Sequence, residues 1–391
     1  MKYMYDFMDR WKVLVFYILM VSDANSPKIQ NIKEVTKHCL YGQYKDGEVC
    51  KVCPAGYTGV NCSQKCTPPS YGFFCSKTCY CSYCHHEVGC MPTTEFTVNG
   101  YRILGYADDH SAYDSFNPKA IADEKHVITN LENVLVNIND WMNLNRLKLN
   151  PSKTKFVLFG SPQMLSLSSS TSINVVGASV NSSVCIKYLG CYLDEHLTFK
   201  KFVSEKCKTI SLNLFLINNI RQYLTIDSCK QIVQSLVTSH LDYANSVLYG
   251  LPECTIKRLQ LLQNRAAKLV LKWKSTDSST EALKRLHWLP VYFRIRFKIA
   301  CVVYKCLNDS ESPIYLREML SIRESPYSIR SISSVAKTLN VPAVKRKTFA
   351  ARSFAISGPT VWNELPTDMR TIRDFTTFKR QLKAFYYKCA F

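Results

Sequence analysis

The cysteines constrain the fold of this chain most, because ten of its eighteen lie within residues 39–90. That segment has few aliphatic side chains, so cross-links have to stabilise it in place of a hydrophobic core. The other eight cysteines are scattered over residues 185–389 without a regular spacing, and they are predicted to be free thiols. The sequence therefore predicts a small disulfide-rich module followed by a larger globular part.

The module has a second interpretation as a zinc site. Cys50-x-x-Cys53 and Cys81-x-x-Cys84 have the spacing of zinc ligands. Ten cysteines exceed the needs of one site, so we favour disulfides. The predicted disulfide cysteines are Cys39, Cys50, Cys53, Cys62, Cys66, Cys75, Cys79, Cys81, Cys84 and Cys90.

The spacing of these cysteines is similar to that of a known family. The segment reads Cys50-x-x-Cys53-Pro-x-Gly-Tyr-x-Gly-x-Asn-Cys62, followed by Tyr71-Gly72-x-x-Cys75. It resembles the EGF-like repeats of multiple-EGF-domain receptors and laminin-type modules, over about residues 37–92. The resemblance implies an extracellular interaction module with an unknown ligand, and no enzymatic role for this part.

An apolar run near the N-terminus bears on localisation. Residues 13–21 are all apolar and are followed by Ser22-Asp23-Ala24, which is typical of a signal-peptide core within residues 1–24. The run is too short to span a bilayer, and no membrane span is predicted. A buried strand or helix is the alternative. A working signal predicts a secretory or extracellular protein; otherwise the chain is expected in the nucleus or cytoplasm.

Charge is concentrated in the second part of the chain. The whole chain has a net charge of +20, and residues 101–391 hold 40 Lys/Arg against 22 Asp/Glu. Such a balance favours a polyanionic partner, nucleic acid first. Residues 321–391 interleave aromatic with basic side chains, which predicts RNA binding through phosphates and stacking. A solvated helical surface and a membrane-surface helix are the alternatives. The aromatic residues considered for stacking are Trp362, Phe385, Tyr386 and Tyr387.

Periodicity predicts the secondary structure that surrounds an aspartate pair. Residues 101–106 form a predicted strand, Asp108-Asp109 a turn, and residues 111–113 a return strand. A helix is predicted from Asn117-Pro118 to Trp141, and the chain is predicted to be mostly helical from about residue 197. Two carboxylates at the tip of such a turn are suited to hard divalent cations, as in two-metal phosphoryl transfer.

Three motifs around these elements occur in the order of a known family. They read Tyr106-Ala107-Asp108-Asp109, then Lys148-Leu149-Asn150-x-x-Lys153-Thr154, then Tyr188-Leu189-Gly190-x-x-Leu193-Asp194. They resemble the last palm motifs of reverse transcriptases from non-LTR (LINE-type) retrotransposons. The likeness extends over about residues 98–391. It implies an α+β palm fragment over residues 98–196 and a mostly helical thumb and basic C-terminal region over residues 197–391.

Downstream stretches carry the likeness further. They read Ser239-His240-Leu241-Asp242-Tyr243, Leu262-Gln263-Asn264-Arg265-Ala266-Ala267-Lys268, Leu286-His287-Trp288-Leu289-Pro290-Val291, and Phe378-Lys379-Arg380-x-Leu382-Lys383. The likeness to this family implies that the partner is RNA or DNA. The residues expected to bind nucleic acid are Tyr188, Leu189, Gly190, Arg265, Lys268, Lys379 and Arg380.

The resemblance also implies catalytic roles for three residues. Asp108 corresponds to a metal-binding aspartate and Asp109 to its neighbour, with Mg²⁺ as the expected cofactor. Lys153 corresponds to a lysine near the phosphates of the incoming nucleotide, although a solvated lysine before a strand is the simpler interpretation. Tyr188-Leu189-Gly190 corresponds to the primer-grip turn.

Parts of the family pattern are missing upstream. The family has another metal-binding aspartate and a Pro-Gln-Gly type motif before the aspartate pair, and no Pro-Gln-Gly occurs in this chain. Mg²⁺ is therefore expected to be weakly held or absent, and the chain inactive as a polymerase by itself. The expected protein is a chimera of an EGF-like segment and a truncated reverse transcriptase. A secreted EGF-like binding protein and a polymerase completed in trans are the alternatives.

Overall fold

The structure is a computed structural model of the 391-residue chain. It describes residues 13–23, 43–46, 49–54, 56–67, 70–72, 75–78, 84–85, 89–90, 95–98, 101–106, 109–144, 147–310, 312–323, 337–343 and 350–391. The chain divides into two compact units. The large unit comprises Met1–Ile18, Tyr113–Asn133 and Thr154–Phe391, and the small unit comprises Leu19–Ala112 and Val134–Lys153.

Strands lie before residue 195. In chain order they are β1 (Val13–Asp23), β2 (Gln43–Asp46), β3 (Val49–Val52), β4 (Tyr57–Thr58), β5 (Gln64–Lys65), β6 (Ser70–Tyr71), β7 (Lys77–Thr78), β8 (Cys84–His85), β9 (Gly89–Cys90), β10 (Glu95–Val98), β11 (Tyr101–Tyr106), β12 (Asp109–Phe116), β13 (Leu147–Leu149), β14 (Lys155–Phe159), β15 (Ser172–Val175), β16 (Ala178–Asn181), β17 (Cys185–Tyr188) and β18 (Cys191–Asp194).

Helices dominate from Lys200 onward, as the sequence predicts. In chain order the helices are α1 (Ile121–Leu144), α2 (Pro162–Leu165), α3 (Lys200–Ile220), α4 (Ile226–Val233), α5 (Ser239–Asp242), α6 (Glu253–Leu271), α7 (Ser279–Leu286), α8 (Val291–Asn308), α9 (Ile314–Arg317), α10 (Phe354–Asn363), α11 (Thr367–Arg370) and α12 (Phe375–Ala390). In the part of the chain that the structure describes, no helix is long and apolar enough to cross a membrane.

The largest sheet contains the two strands that flank residues 107 and 108, and the second of them begins at Asp109. Its strand order is β10-β11-β12-β1-β13, and β14 also pairs with β1. β11 and β12 are antiparallel, with Tyr106 opposite Asp109. β1 is antiparallel to β14, with Leu14 opposite Phe159, and to β13, with Asp23 opposite Leu147. The remaining strands form two-stranded hairpins.

The apolar run near the N-terminus forms strand β1. The sequence favoured a signal-peptide core here and left a buried strand as the alternative; the structure has the strand. Its Val, Leu, Ile, Phe and Tyr residues suit a strand as well as a signal peptide, so the composition did not distinguish the two. Removal of residues 1–24 as a signal stays a prediction.

Two disulfides stabilise the cysteine-rich segment. They join Cys53 to Cys62 and Cys66 to Cys75, and each closes a loop with a sequence separation of 9. Cys53 and Cys66 are buried, so in this segment the cross-links take the place of an aliphatic core. Because Cys53 is bonded to Cys62, it is not a zinc ligand, and the disulfide interpretation is confirmed for these four cysteines.

The other predicted disulfide cysteines are described in part. Cys50 is disulfide-bonded. Cys84 and Cys90 lie opposite each other in the backbone pairing of β8 and β9. Cys39, Cys79 and Cys81 lie outside the described residues. The eight cysteines from Cys185 onward are free thiols, as predicted.

A buried carboxylate joins α1 to a serine-rich loop in the large unit. Glu124 is 1% exposed and accepts hydrogen bonds from Ser168 Oγ at 2.6 Å and from the backbone N–H groups of Ser169 and Ser170 at 3.0 and 2.8 Å. Burial raises the pKa of Glu124, but these hydrogen bonds together bring it below its usual value. The Glu124 carboxylate therefore fixes the loop, because the N–H groups of the loop donate to it.

Aromatic rings fill the core of the helical region. Tyr304 of α8 stacks on Phe378 of α12 with ring centroids 4.4 Å apart, and Trp362 of α10 lies 5.9 Å from the same phenylalanine ring. The Trp362 indole N–H donates to the carbonyl of Lys337 at 2.8 Å. Three helices therefore meet around Phe378, and the polar tip of the largest side chain has a partner.

Helix α6 is amphipathic. Leu259, Ala266 and Val270 are buried on its inner face, while Lys257 and Arg258 are exposed. Its C-terminal end needs partners because the last carbonyls of a helix lack them.

A buried arginine supplies those partners. Arg221 is 6% exposed and donates from Nε to Leu269 O and from Nη2 to Val270 O, both at 2.7 Å. Its Nη1 donates to Leu224 O at 2.7 Å. The end of α6 is therefore fixed to the segment that follows α3 by a single planar cation.

Replacement of Arg221 by alanine is expected to lower the free energy of unfolding of the full chain by about 3 kcal/mol, because it leaves buried carbonyls without donors. Arg221→Lys keeps the charge but not the planar fork, so an intermediate loss is expected. Denaturant unfolding followed by circular dichroism measures both. Lys257→Ala is the control, because Lys257 is exposed on the same helix. A loss of unfolding free energy in Lys257→Ala equal to that in Arg221→Ala would contradict the role of Arg221 as the cap of α6.

Candidate nucleic-acid interface

The aspartate pair belongs to the hairpin of β11 and β12. Tyr106 is the last residue of β11 and Asp109 the first of β12, and they pair directly. Ala107 and Asp108 lie outside the described residues, and two residues connect the strands. The strand-turn-strand predicted around this motif is therefore present, with the return strand starting two residues earlier than expected.

A third aspartate stands on the neighbouring strand. β1 lies next to β12 in the strand order of the largest sheet, and its last residue is Asp23. Sequence reasoning missed this residue because it assigned residues 1–24 to a signal-peptide-like segment. The signal that was available is an apolar strand-like run that ends in an aspartate.

The magnesium site that the resemblance implies lies only partly within the described residues. Among them, no group of three or more His, Cys, Asp or Glu residues comes together in a way that could hold a metal ion. Asp108, the expected principal ligand, lies outside them. Mg²⁺ binding and the catalytic roles of Asp108 and Asp109 stay predictions.

Lys153 lies in the turn between β13 and β14. Its N–H donates to Asn150 O at 3.2 Å, and the Asn150 carboxamide oxygen accepts from the N–H of Ser152 at 3.1 Å. The Lys153 side chain is exposed, while Thr154 beside it is buried. The turn is thus fixed by Asn150, and the role of Lys153 at a nucleotide phosphate stays a prediction.

The Tyr188-Leu189-Gly190 motif forms the tip of the hairpin of β17 and β18. Tyr188 pairs with Cys191, and the two residues between them have positive φ values of 43° and 75°. This is the backbone of a tight two-residue hairpin turn, and the second position holds glycine because a side chain is strained there. The turn therefore presents its carbonyl groups in a fixed direction.

Tyr243 holds that turn against the helical region. Its hydroxyl donates to the carbonyl of Leu189, and its ring covers Gly190 so closely that an added Cβ would lie 3.2 Å from ring and hydroxyl atoms. Tyr243 follows α5 and is 54 residues away in sequence. Two stretches that were singled out separately in the sequence are therefore in direct contact.

Lys206 of α3 supports Tyr243 from the interior. The Lys206 side chain is 7% exposed and donates from Nζ to His240 O at 2.5 Å and to Tyr243 O at 2.9 Å. The Nζ atom lies 4.6 Å from the Phe202 ring centroid and 5.5 Å from that of Tyr243. The ammonium group thus satisfies the C-terminal carbonyls of α5 and packs between two rings.

Burial changes the proton affinity of this lysine. It lowers the pKa of Lys206 to about 8, against the opposing influence of Cys191 and Asp242. A neutral amine still has two N–H groups for the two carbonyls, so loss of the proton does not remove the hydrogen bonds.

Asp194, the last residue of the third motif, has a structural role. Its carboxylate accepts from the N–H groups of Thr198 and Phe199, both at 2.8 Å, where the chain enters α3. Phe199 has a positive φ of 57°, so this entry is a sharp turn that the carboxylate stabilises. The motif therefore connects the hairpin rigidly to α3.

The predicted basic contacts lie on two different helices. Arg265 of α6 is exposed, and Lys268 donates from Nζ to Ser275 O at 2.6 Å. Lys379 and Arg380 of α12 are exposed, and Lys379 Nζ lies 5.5 Å from the Phe375 ring centroid. All four are in the large unit, and their contacts with nucleic acid stay predictions.

Neither a scan of the sequence against protein-family models nor a search of curated proteins returns a match. The function of the chain is therefore argued from its residues and their geometry.

Gly190→Ala is expected to lower the free energy of unfolding by about 2 kcal/mol, because alanine is strained at positive φ and meets Tyr243. Gly177→Ala is a matched control at the same position of another tight hairpin turn: its φ is +82°, and nothing lies within 4 Å of the added Cβ. A loss of only about 1 kcal/mol is expected there. Equal losses in denaturant unfolding would show that Tyr243 does not hold the hairpin.

The lowered pKa of Lys206 predicts a pH-dependent stability. Between about pH 8 and the usual lysine pKa of 10.5 the unfolded chain binds more protons than the folded one, so this residue makes stability rise with pH. The unfolding free energy of the wild type minus that of Lys206→Met is expected to rise by roughly 2 kcal/mol over this window, after allowing for solvent screening. A difference that stays constant would contradict the assignment.

Proposed function

We propose that residues 98–391 are a truncated reverse transcriptase of the non-LTR retrotransposon type, which binds RNA or DNA but does not polymerise by itself. One observation supports this most: the Tyr188-Leu189-Gly190 turn is held by Tyr243 and Lys206. These residues come from stretches that resemble the primer grip and the thumb of that family. A primer-grip turn has to be rigid relative to the helices beside it, and this contact supplies the rigidity.

Lack of activity follows from the positioning that phosphoryl transfer needs. The transferred phosphoryl group and the attacking hydroxyl have to be aligned, and positioning together with charge stabilisation provides most of the catalysis. The chain has no Pro-Gln-Gly motif to position template and nucleotide. Asp23 stands on the strand next to β12, but a carboxylate on that strand does not replace a nucleotide pocket.

Nucleic-acid binding is proposed to rest on exposed Arg265 and half-buried Lys268 of α6 and on the exposed cations of α12. Phosphate contacts by Lys and Arg release counterions, so the affinity of such a protein falls with salt. The stretch from 375 to 391 contains no Asp or Glu, and its exposed Lys379 and Arg380 are one and two residues after Phe378, which anchors α12 in the core.

The test measures binding of the full-length protein to an RNA–DNA hybrid at increasing salt. We expect the logarithm of the affinity to fall linearly with the logarithm of salt, and Arg265→Ala/Lys268→Ala and Lys379→Ala/Arg380→Ala each to make the slope shallower by roughly 1.5. Lys119→Ala/Lys125→Ala is the control pair, since both lysines are exposed and have no place in the proposal. Affinity that does not change with salt would contradict the proposal.

The same preparation tests the missing activity by primer extension with Mg²⁺. No product is expected from the wild type. Product that disappears in Asp108→Asn would overturn the proposed lack of activity and show that the chain completes a polymerase site.

We propose a second function for the cysteine-rich segment, that of an EGF-like extracellular binding module. The Cys53–Cys62 and Cys66–Cys75 disulfides favour it, because such cross-links persist in oxidising compartments. Mass spectrometry of the protein expressed in its own cells and alkylated before reduction distinguishes an extracellular protein from one of a reducing compartment. Oxidised Cys53 and Cys62 support the extracellular module, and alkylated ones support a protein of reducing compartments.

A further inference from the structure

Few of the aromatic side chains that were predicted to stack on RNA bases lie at the surface of the helical region. Trp362 and Tyr386 are 1% and 3% exposed and belong to the core, so the prediction that they stack on RNA bases is wrong. Phe385 packs against the same core and is half-buried. Tyr387, the fourth residue of the set, is half-buried and lies next to the exposed His287.

Three rings form a row where α7 ends against α12. The ring centroids of His287 and Tyr387 are 5.6 Å apart with planes at 42°, and those of Tyr387 and Phe391 are 5.0 Å apart at 62°. His287 is exposed, and Tyr387 and Phe391 are each half-buried. These three rings are named the ring platform.

The backbone fixes the ring platform from both sides. His287 ends α7 in the left-handed conformation with a φ of 54°, and its N–H donates to Lys284 O at 3.0 Å. The Tyr387 hydroxyl donates to the same carbonyl at 3.0 Å. One carbonyl group therefore holds the backbone of His287 and the hydroxyl of Tyr387, which limits the ordering that a ligand has to impose on these two residues.

Positive charge surrounds the ring platform. Lys284 Nζ lies 5.8 Å from the Phe391 ring centroid and 3.1 Å from Glu281 Oε1, its acidic neighbour on α7. Arg285 is exposed beside it. On α12, Lys383 precedes Tyr387 by one helical turn and Lys388 follows it directly, and both are exposed. Aromatic rings close to cations are the combination that contacts the bases and phosphates of single strands.

We propose that the ring platform stacks an unpaired base and thereby gives the protein a preference for single-stranded over double-stranded nucleic acid. The inference rests on the nucleic-acid binding proposed above. In a duplex each base is stacked between its neighbours and its face is inaccessible, so a ring cannot stack on it and the phosphates and groove edges are what remains to bind. Stacking needs a π-face and no particular sugar, so RNA and DNA single strands are both expected to bind.

The experiment compares fluorescence anisotropy of labelled oligothymidine and oligouridine, about 15 nucleotides long, with that of a duplex of the same length. The full-length wild type is expected to bind the single strands more tightly than the duplex. Tyr387→Leu and His287→Asn are each expected to weaken single-strand binding about tenfold, since base stacking on an aromatic ring is lost. Binding to the duplex and its salt dependence are expected to stay unchanged, because neither variant removes a cation.

Matched variants separate the ring from other effects. Asn tolerates the left-handed conformation of residue 287, so His287→Asn removes the ring without adding strain there. Tyr387→Phe keeps the ring and removes only the hydroxyl that bonds to Lys284 O, so it is expected to bind single strands more tightly than Tyr387→Leu. Tyr223→Leu removes a ring that is 80% exposed at another site and is expected to have no effect. Circular dichroism confirms that each variant is folded.

The outcomes distinguish this inference from the function on which it rests. Salt-dependent binding of all probes with equal affinity, or Tyr387→Leu losing affinity equally for single strands and duplex, overturns the ring platform and leaves nucleic-acid binding intact. A wild type that binds none of the probes overturns both.

Discussion

The buried ammonium group of Lys206 is the interaction on which the organisation of the candidate interface depends. It joins α3 to the C-terminal end of α5, and Tyr243 then carries the connection to the hairpin turn at Leu189. A lysine that is 7% exposed is costly unless its donors are satisfied, and here two carbonyls and two rings surround it. The free-energy cost of burying the Lys206 ammonium group is therefore offset by its hydrogen bonds to His240 O and Tyr243 O, and these bonds also fix the hairpin through Tyr243.

Buried polar side chains at helix ends recur through the large unit. Arg221 satisfies the end of α6, and Gln263 donates from its carboxamide to Leu289 O at 2.9 Å, just before α8 begins. The carboxamide oxygen of Gln260 accepts from the first N–H of α8, at Val291, at 2.8 Å. Asn363 at the end of α10 pairs with both backbone groups of Leu339. Several residues that carry the resemblance thus act in packing rather than in ligand binding, and their resemblance to the family says more about fold than about chemistry.

Local pattern was enough to predict elements whose burial follows a helical or strand period. The hairpin at Tyr106–Asp109, the helix that ends at Leu144 and the inner face of α6 all follow from spacing, because each is stabilised along its own length. The contact between Tyr243 and Leu189 joins residues 54 positions apart, and no local period encodes it. Strand β1 was the alternative and not the favoured interpretation for a related reason: an apolar run of that length is compatible with a signal peptide as well as with a strand until its partner β14 is known. Trp362 and Tyr386 were misjudged because composition gives the number of aromatic rings in a segment but not the side of the helix that is covered.

The cysteines show how far the cysteine-rich segment and the helical region favour different redox compartments. The disulfides at residues 53–75 favour an oxidising compartment, whereas free thiols in the helical region favour a reducing one. Burial raises the pKa of Cys301 to about 11 and also raises that of Cys229 and Cys306, so these thiols carry little thiolate and react slowly. Cys254 and Cys389 are exposed to solvent. In an oxidising compartment, the buried thiols of the helical region are therefore expected to react slowly, and oxidation is expected first at its two exposed thiols. The thiols of the helical region thus do not by themselves exclude the oxidising compartment in which the cysteine-rich segment is stable.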